Sequence, residues 1–213
     1  MMMTKNFLHV ACGSYDRRMV PILLLHISLT LPATGLTADA RRTAIAEIAA
    51  IWSIHGVVVG ADSGEPPPYD AVSIRVAVER RPTSLGPPWG GPLASIRFDD
   101  TGVPVPVITL YLAALVEMIA RANTPGARGD GAPALLRERA VGRAVGRVLA
   151  HELGHFLLRS RWHAESGLMR SVQTTTDLIG PERERFALTP PDAARLAIVE
   201  SAGVGATECT ASM

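Results

Sequence analysis

Apolar residues recur along this chain with two periods, and the places where one period gives way to the other mark its elements. From Arg41 to Trp52 they fall at Ile45, Ile48 and Trp52, spaced as one face of a helix, with Arg41, Arg42 and Glu47 left for water. His55 to Gly60 is a short β-branched run between glycines, which makes His55 a loop or strand-edge residue. Over residues 71–79, Val72, Ile74, Val76 and Val78 alternate with Ser73, Arg75 and Ala77, the pattern of a strand with one face buried. Ala94 to Phe98 alternates in the same way and runs into a turn at Asp99-Asp100-Thr101-Gly102. Val103 to Val107 predicts a further short strand, confined to a sheet edge by Pro104 and Pro106. Ile108 to Arg121 predicts a helix with Ile108, Leu112, Leu115 or Val116, and Ile119 inward. The stretches around Pro66-Pro67-Pro68, from Arg80 to Pro92 and from Asn123 to Pro133 are rich in turn residues and predict loops.

The stretch from Ala134 to about Ser160 runs without a proline and predicts a helix long enough to cross a domain. Ala144, Val148, His151 and His155 follow one face of it; Arg139, Arg143 and Arg147 follow another. Gly142, Gly146 and Gly154 weaken helix propensity, so their presence predicts close packing, expected here against the sheet. Thr189-Pro190-Pro191-Asp192 opens a capped closing helix with Leu196 and Val199 inward. The order of elements predicts an α+β domain: a twisted mixed sheet of about three or four strands packed on the long helix, flanked by N-terminal and C-terminal helices.

The first forty residues read as a targeting segment. Arg17 and Arg18 precede an apolar run, Met19 to Pro32, and Ala38-Asp39-Ala40 supplies small residues for cleavage. The expected arrangement is therefore a signal segment over 1–40, a single domain over 41–213, and a secreted or periplasmic location. The run is too short and too interrupted by Pro21, His26 and Pro32 to predict stable membrane insertion. A formal net charge of +1 gives no electrostatic case for nucleic acid as a partner. Of the two cysteines only Cys209 would survive processing, which excludes an intrachain disulfide in that form. Nothing in the sequence calls for more than a monomer.

The chemistry concentrates in His151-Glu152-Leu153-Gly154-His155. Positions four apart share a helix face, so His151 and His155 can grip one metal ion while Glu152 points toward a water on it. This is the spacing of a zinc hydrolase, with Zn2+ as the expected cofactor and Glu152 as the catalytic base. A catalytic zinc takes a third protein ligand, and His163 is the candidate. In a continuous helix His163 would lie about 12 Å along the axis from His155. The helix must therefore end near Leu158 to Ser160 and turn back, after which Ala164 to Gly167 would make a turn leading Leu168 and Met169 beneath the metal. Arg159, Arg161 and Arg170 surround the motif; they either favour acidic substrates or simply face water.

The run resembles the metzincin branch of the zinc metallopeptidases, whose pattern is H-E-x-x-H-x-x-G-x-x-H followed by a methionine turn under the metal. His151, Glu152, His155, His163 and Met169 match it. The third histidine comes two residues late, and Leu158 stands where the family has its turning glycine. The resemblance implies a small zincin-like domain, hydrolysis of a peptide or protein substrate, Met169 as a structural support, and a substrate laid along an upstream edge strand, either Ala94 to Phe98 or Val103 to Val107. H-E-L-G-H-F-L-L also resembles the peptidases that cleave phage-type repressors, in which a downstream acid completes the site; Glu182 or Glu184 would be that acid here. A third reading keeps the fold as a catalytically inactive binding domain.

Overall fold

Leu25-His26-Ile27-Ser28-Leu29-Thr30 forms strand β1, and the sheet is assembled on both sides of it. The computed structural model describes residues 25–62, 71–80, 91–122 and 134–204. The remaining elements are α1 (Ala38–Ser53), β2 (Val57–Ala61), β3 (Val72–Val78), β4 (Ala94–Phe98), β5 (Pro104–Leu110), α2 (Leu112–Arg121), α3 (Ala134–Leu157), α4 (Thr175–Ile179), a single 3-10 turn at Glu184–Phe186, and α5 (Pro190–Val204). The fold is α+β, with a five-stranded mixed sheet in the order β2-β1-β3-β5-β4. All neighbours are parallel except β4, which lies antiparallel to β5 on the edge.

Strand β1 corrects the expectation that residues 1–40 stand apart from the domain. Its register is parallel with β2 from Leu25↔Val57 and with β3 from Ile27↔Val72. Ile27 and Leu29 are buried in the core, Leu36 beside them, and Thr37 caps α1 by accepting the Ala40 N–H at 3.2 Å. Cleavage at Ala38–Ala40 would remove an interior strand and open the first turn of α1. The domain therefore includes residues from Leu25, and the boundary at Arg41 is withdrawn. Counting β1, the sheet has five strands where the pattern gave three or four. Arg17, Arg18, Pro66 to Pro68, the 123–133 linker and Cys209 lie outside the described residues, as does the side chain of Val199. Among the described residues no helix is long and apolar enough to cross a membrane.

Two further expectations change. Ile108 belongs to β5, and α2 begins only at Leu112, burying Leu112, Leu115 and Ile119 while Val116 faces out. Strand β5 is interior, although its prolines suggested an edge. Pairing with β3 starts only at Val107, and the register with β4 slips between Ile96 and Phe98, so Pro106 falls where the ladder is already broken.

Helices α1 and α3 run side by side in the same direction, with backbones in contact. A Cβ on Gly142 would come within 2.6 Å of the Ala40 carbonyl oxygen, and one on Gly146 within 2.7 Å of that of Ala44. These glycines are thus fitted to a helix rather than to the sheet. Residue 154 faces Met169 and Trp52, and a Cβ there would overlap the Met169 sulfur.

The same interface buries charge. Glu47, expected to face water, is 4% exposed and accepts Arg147 Nε and Arg183 Nη2, each at 2.8 Å. Arg147 is 1% exposed; it also donates to the Asp177 carbonyl and lies with its guanidinium carbon 4.6 Å from the centre of the Phe186 ring. Burial pushes the Glu47 carboxyl up, but the hydrogen bonds and charges of Arg183 and Arg147 outweigh it, and the net shift is downward. One ion-paired cluster thereby ties α1, α3 and α4 together behind the histidine face.

Candidate metal centre

The centre is built where α3 stops. Ser160 N–H donates to the His155 carbonyl at 3.1 Å and Arg159 N–H to that of Phe156 at 3.2 Å, the paired bonds of a Schellman ending. The left-handed residue such an ending needs is Arg159, with φ 47, one position after the site of the family's glycine. Sequence carries no warning of this, because arginine is not a usual C′ residue. Arg159→Gly is expected to raise stability by about 1 kcal/mol, since a side chain in the left-handed region costs roughly that much. A urea melt showing a loss of stability would refute this.

The turn does two things at once. It sends the chain back so that His163 meets the helix, and it aims the Ser160 carbonyl at His155 Nδ1, 2.7 Å away. On the other side, Ala164 N–H bonds the Met169 carbonyl at 2.8 Å, and Gly167 takes φ +75. The Leu168 carbonyl then lies 2.8 Å from His151 Nδ1. Met169 is 1% exposed and packs its sulfur against Gly154. The segment that was expected to turn beneath the site has Leu168 and Met169 buried against the helix and holds one candidate ligand, His151, through a backbone oxygen.

These bonds fix the tautomers. A carbonyl oxygen only accepts, so His151 and His155 both carry their proton on Nδ1 and present a bare Nε2. The two Nε2 atoms face one another at 3.1 Å. Two lone pairs at that distance repel unless a proton or a cation sits between them. A proton is disfavoured: burial, aided by the neighbouring imidazoles and only partly offset by the Leu168 carbonyl, pushes His151 down to about 4, and burial likewise lowers His155. The arrangement suits a metal cation, with backbone carbonyls orienting the ligands from behind.

The exposed His163 completes the group. Its ring stacks on His151 with centroids 5.3 Å apart and stands edge-on to His155 at 4.9 Å. One ring nitrogen from each of the three histidines lies within 4.8 Å of the other two, a cluster that could hold a metal ion. Neither Glu182 nor Glu184 joins it among the described residues, and His55 lies apart, edge-on to Trp52 at 5.9 Å.

Glu152 is 8% exposed, and its carboxylate accepts the backbone N–H of Ile96 on β4. Burial lifts its pKa to about 7, against which the Ile96 bond is a smaller effect. Tyr111 N–H donates to the Leu93 carbonyl, so Ser95 and Thr109 form the next hydrogen-bonded pair. Ala94 and Ile96 accordingly turn their backbone groups away from β5, toward the cleft. The cleft has a volume of about 700 Å³ and is lined by β4, Glu152, the three histidines and the chain after Met169. Of the two strands, β4 (Ala94–Phe98) is at the sheet edge, and β5 is enclosed by β3 and β4.

Asp177 anchors Arg170, which lines the cleft. It caps α4 with Thr174 and accepts Arg170 Nη2 at 2.7 Å and Arg185 Nη1 at 3.0 Å. Burial raises its pKa, but the Thr174, Arg170 and Arg185 bonds prevail and hold it at about 2. The chain matches no protein-family model, no curated protein and no solved structure.

Proposed function

We propose that this chain is a zinc-dependent, metzincin-like metallopeptidase that hydrolyses peptide bonds, with Glu152 as general base. The observation that carries this reading is the confrontation of two bare Nε2 atoms beside a third imidazole, with a buried carboxyl one residue from the first ligand and at the edge of an open strand. His151, His155 and His163 would hold the ion; imidazole ligands and H-E-x-x-H spacing favour zinc. Bound there, zinc supplies Lewis acidity, which polarises a carbonyl and acidifies a water.

The protein groups do the rest. An extended peptide beside β4 meets the outward backbone groups of Ala94 and Ile96, which can hydrogen-bond it as an added strand. The Glu152 carboxylate takes a proton from the attacking water and returns it to the leaving amine.

The test is metal content by elemental analysis of the full chain, wild type beside His163→Ala and Glu182→Ala, with a mixed peptide library assayed in parallel. Near-stoichiometric zinc that falls with His163→Ala and survives Glu182→Ala is expected, and the zinc-loaded wild type should cleave. Zinc lost with Glu182→Ala but not with His163→Ala would sink the three-histidine site in favour of the repressor-peptidase type. Zinc without any cleavage would leave a metal-binding domain.

A further inference from the structure

We propose that the cleft selects peptides bearing a carboxylate close to the scissile bond, and that Arg161 is the residue that reads it. This deepens the peptidase reading and rests on it for the word scissile, though not for the binding chemistry.

Four arginines line the cleft, Arg97, Arg147, Arg161 and Arg170, against one acid, Glu152. Arg147 is neutralised by Glu47 and Arg170 by Asp177. Among the described residues no carboxylate bonds Arg97 or Arg161, so both charges remain uncompensated in a concave site. Any bound cation adds to them. Concave, water-poor surroundings concentrate such a field and draw in anions.

Arg161 has the geometry to do more than steer. Its guanidinium carbon sits 4.7 Å from the centre of the Phe98 ring at the end of β4, so the side chain reaches from the turn before His163 to the edge strand. Stacking on an aromatic face immobilises the fork and leaves its N–H edges free for a bidentate carboxylate. Arg161 is exposed, and its position over Phe98 keeps the guanidinium beside the edge strand. Arg170, which also lines the cleft, is engaged by Asp177 and Gln173. Arg159, equally close in sequence, does not line the cleft.

The test uses pairs of peptides that differ only by Asp or Glu against Asn or Gln at positions flanking a cleaved bond. Binding to zinc-loaded Glu152→Gln protein is measured by calorimetry, so that turnover is not needed, and wild-type cleavage of the same pairs is followed separately. The acidic member is expected to bind roughly ten-fold tighter or better, the strength of a charge-assisted contact. That ratio should collapse in Arg161→Ala, be partly restored in Arg161→Lys, and shrink in high salt. Equal binding of both members, binding of neither, or a ratio unmoved by Arg161→Ala would overturn the proposal. Cleavage of both members with equal kcat/KM would overturn it while leaving the peptidase intact. Charge-selective binding without cleavage by the wild type would uphold the acidic-ligand site and remove the peptidase.

Discussion

Glu152→Gln is expected to lower peptide hydrolysis by about 10²–10⁴-fold or more, the usual worth of a positioned proton-transfer group, while zinc content stays near that of the wild type. The amide fills the same buried space beneath Ile96 but cannot take up a proton. The same substitution has a signature in the metal-free protein. Because burial raises the Glu152 pKa from 4.5 to about 7, the folded state retains a proton that the unfolded chain releases. Stability from this group is full below about pH 4.5, declines as pH rises toward 7, and stays lower above it. Gln removes that decline, so the metal-free variant should exceed the wild type at pH 8 by on the order of 3 kcal/mol. Chemical melts across pH, beside zinc analysis and cleavage assays, decide both parts. A variant keeping a tenth of wild-type activity would end the assignment of Glu152 as base.

Glu47→Ala is the substitution expected to cost the fold most, about 3–5 kcal/mol, because it strands a buried cation. Arg147 has a side-chain exposure of 0% and, with Nη2 already lacking a partner, would keep only the Asp177 carbonyl. A paired replacement, Glu47→Leu with Arg147→Met, should lose less than Glu47→Ala alone, since it removes the charge instead of orphaning it. The lowered Glu47 pKa adds a direction: its contribution is present above pH 4.5 and fades as acid protonates it. Urea melts of the three proteins would show the ordering, and a Glu47→Ala loss under about 1 kcal/mol, the range of exposed ion pairs, would contradict the buried-pair account.

Helices α1, α3 and α5 and strands β3 and β4 were legible because their periods are clean and their ends carry turn chemistry, whereas the short α4 was not expected. Strand β1 was not, and the reason is instructive. Leu25-His26-Ile27-Ser28-Leu29-Thr30 alternates with period two, but it follows an apolar stretch and basic residues, and that flank dominated the reading. Glu47 misled for a different reason: it looks like the wet side of its own helix, and only the parallel contact of α1 with α3, made possible by Gly142 and Gly146, puts it face to face with Arg147. At the site, His151, Glu152, His155 and His163 could be named because spacing encodes them. Their supports could not, since the Leu168 and Ser160 carbonyls and the Ile96 N–H belong to the backbone, which every residue has.

The parallel run of α1 and α3 also sets a field. Each aligned helix carries roughly half a negative charge at its C-terminal end, and the two ends lie together: Trp52, in the last turn of α1, packs on Gly154 and donates its indole N–H to the Ala150 carbonyl. His155 occupies the last turn of α3. The negative pole of α3 therefore lies beside the three-imidazole cluster, with that of α1 next to it, so the backbone would favour a cation held there.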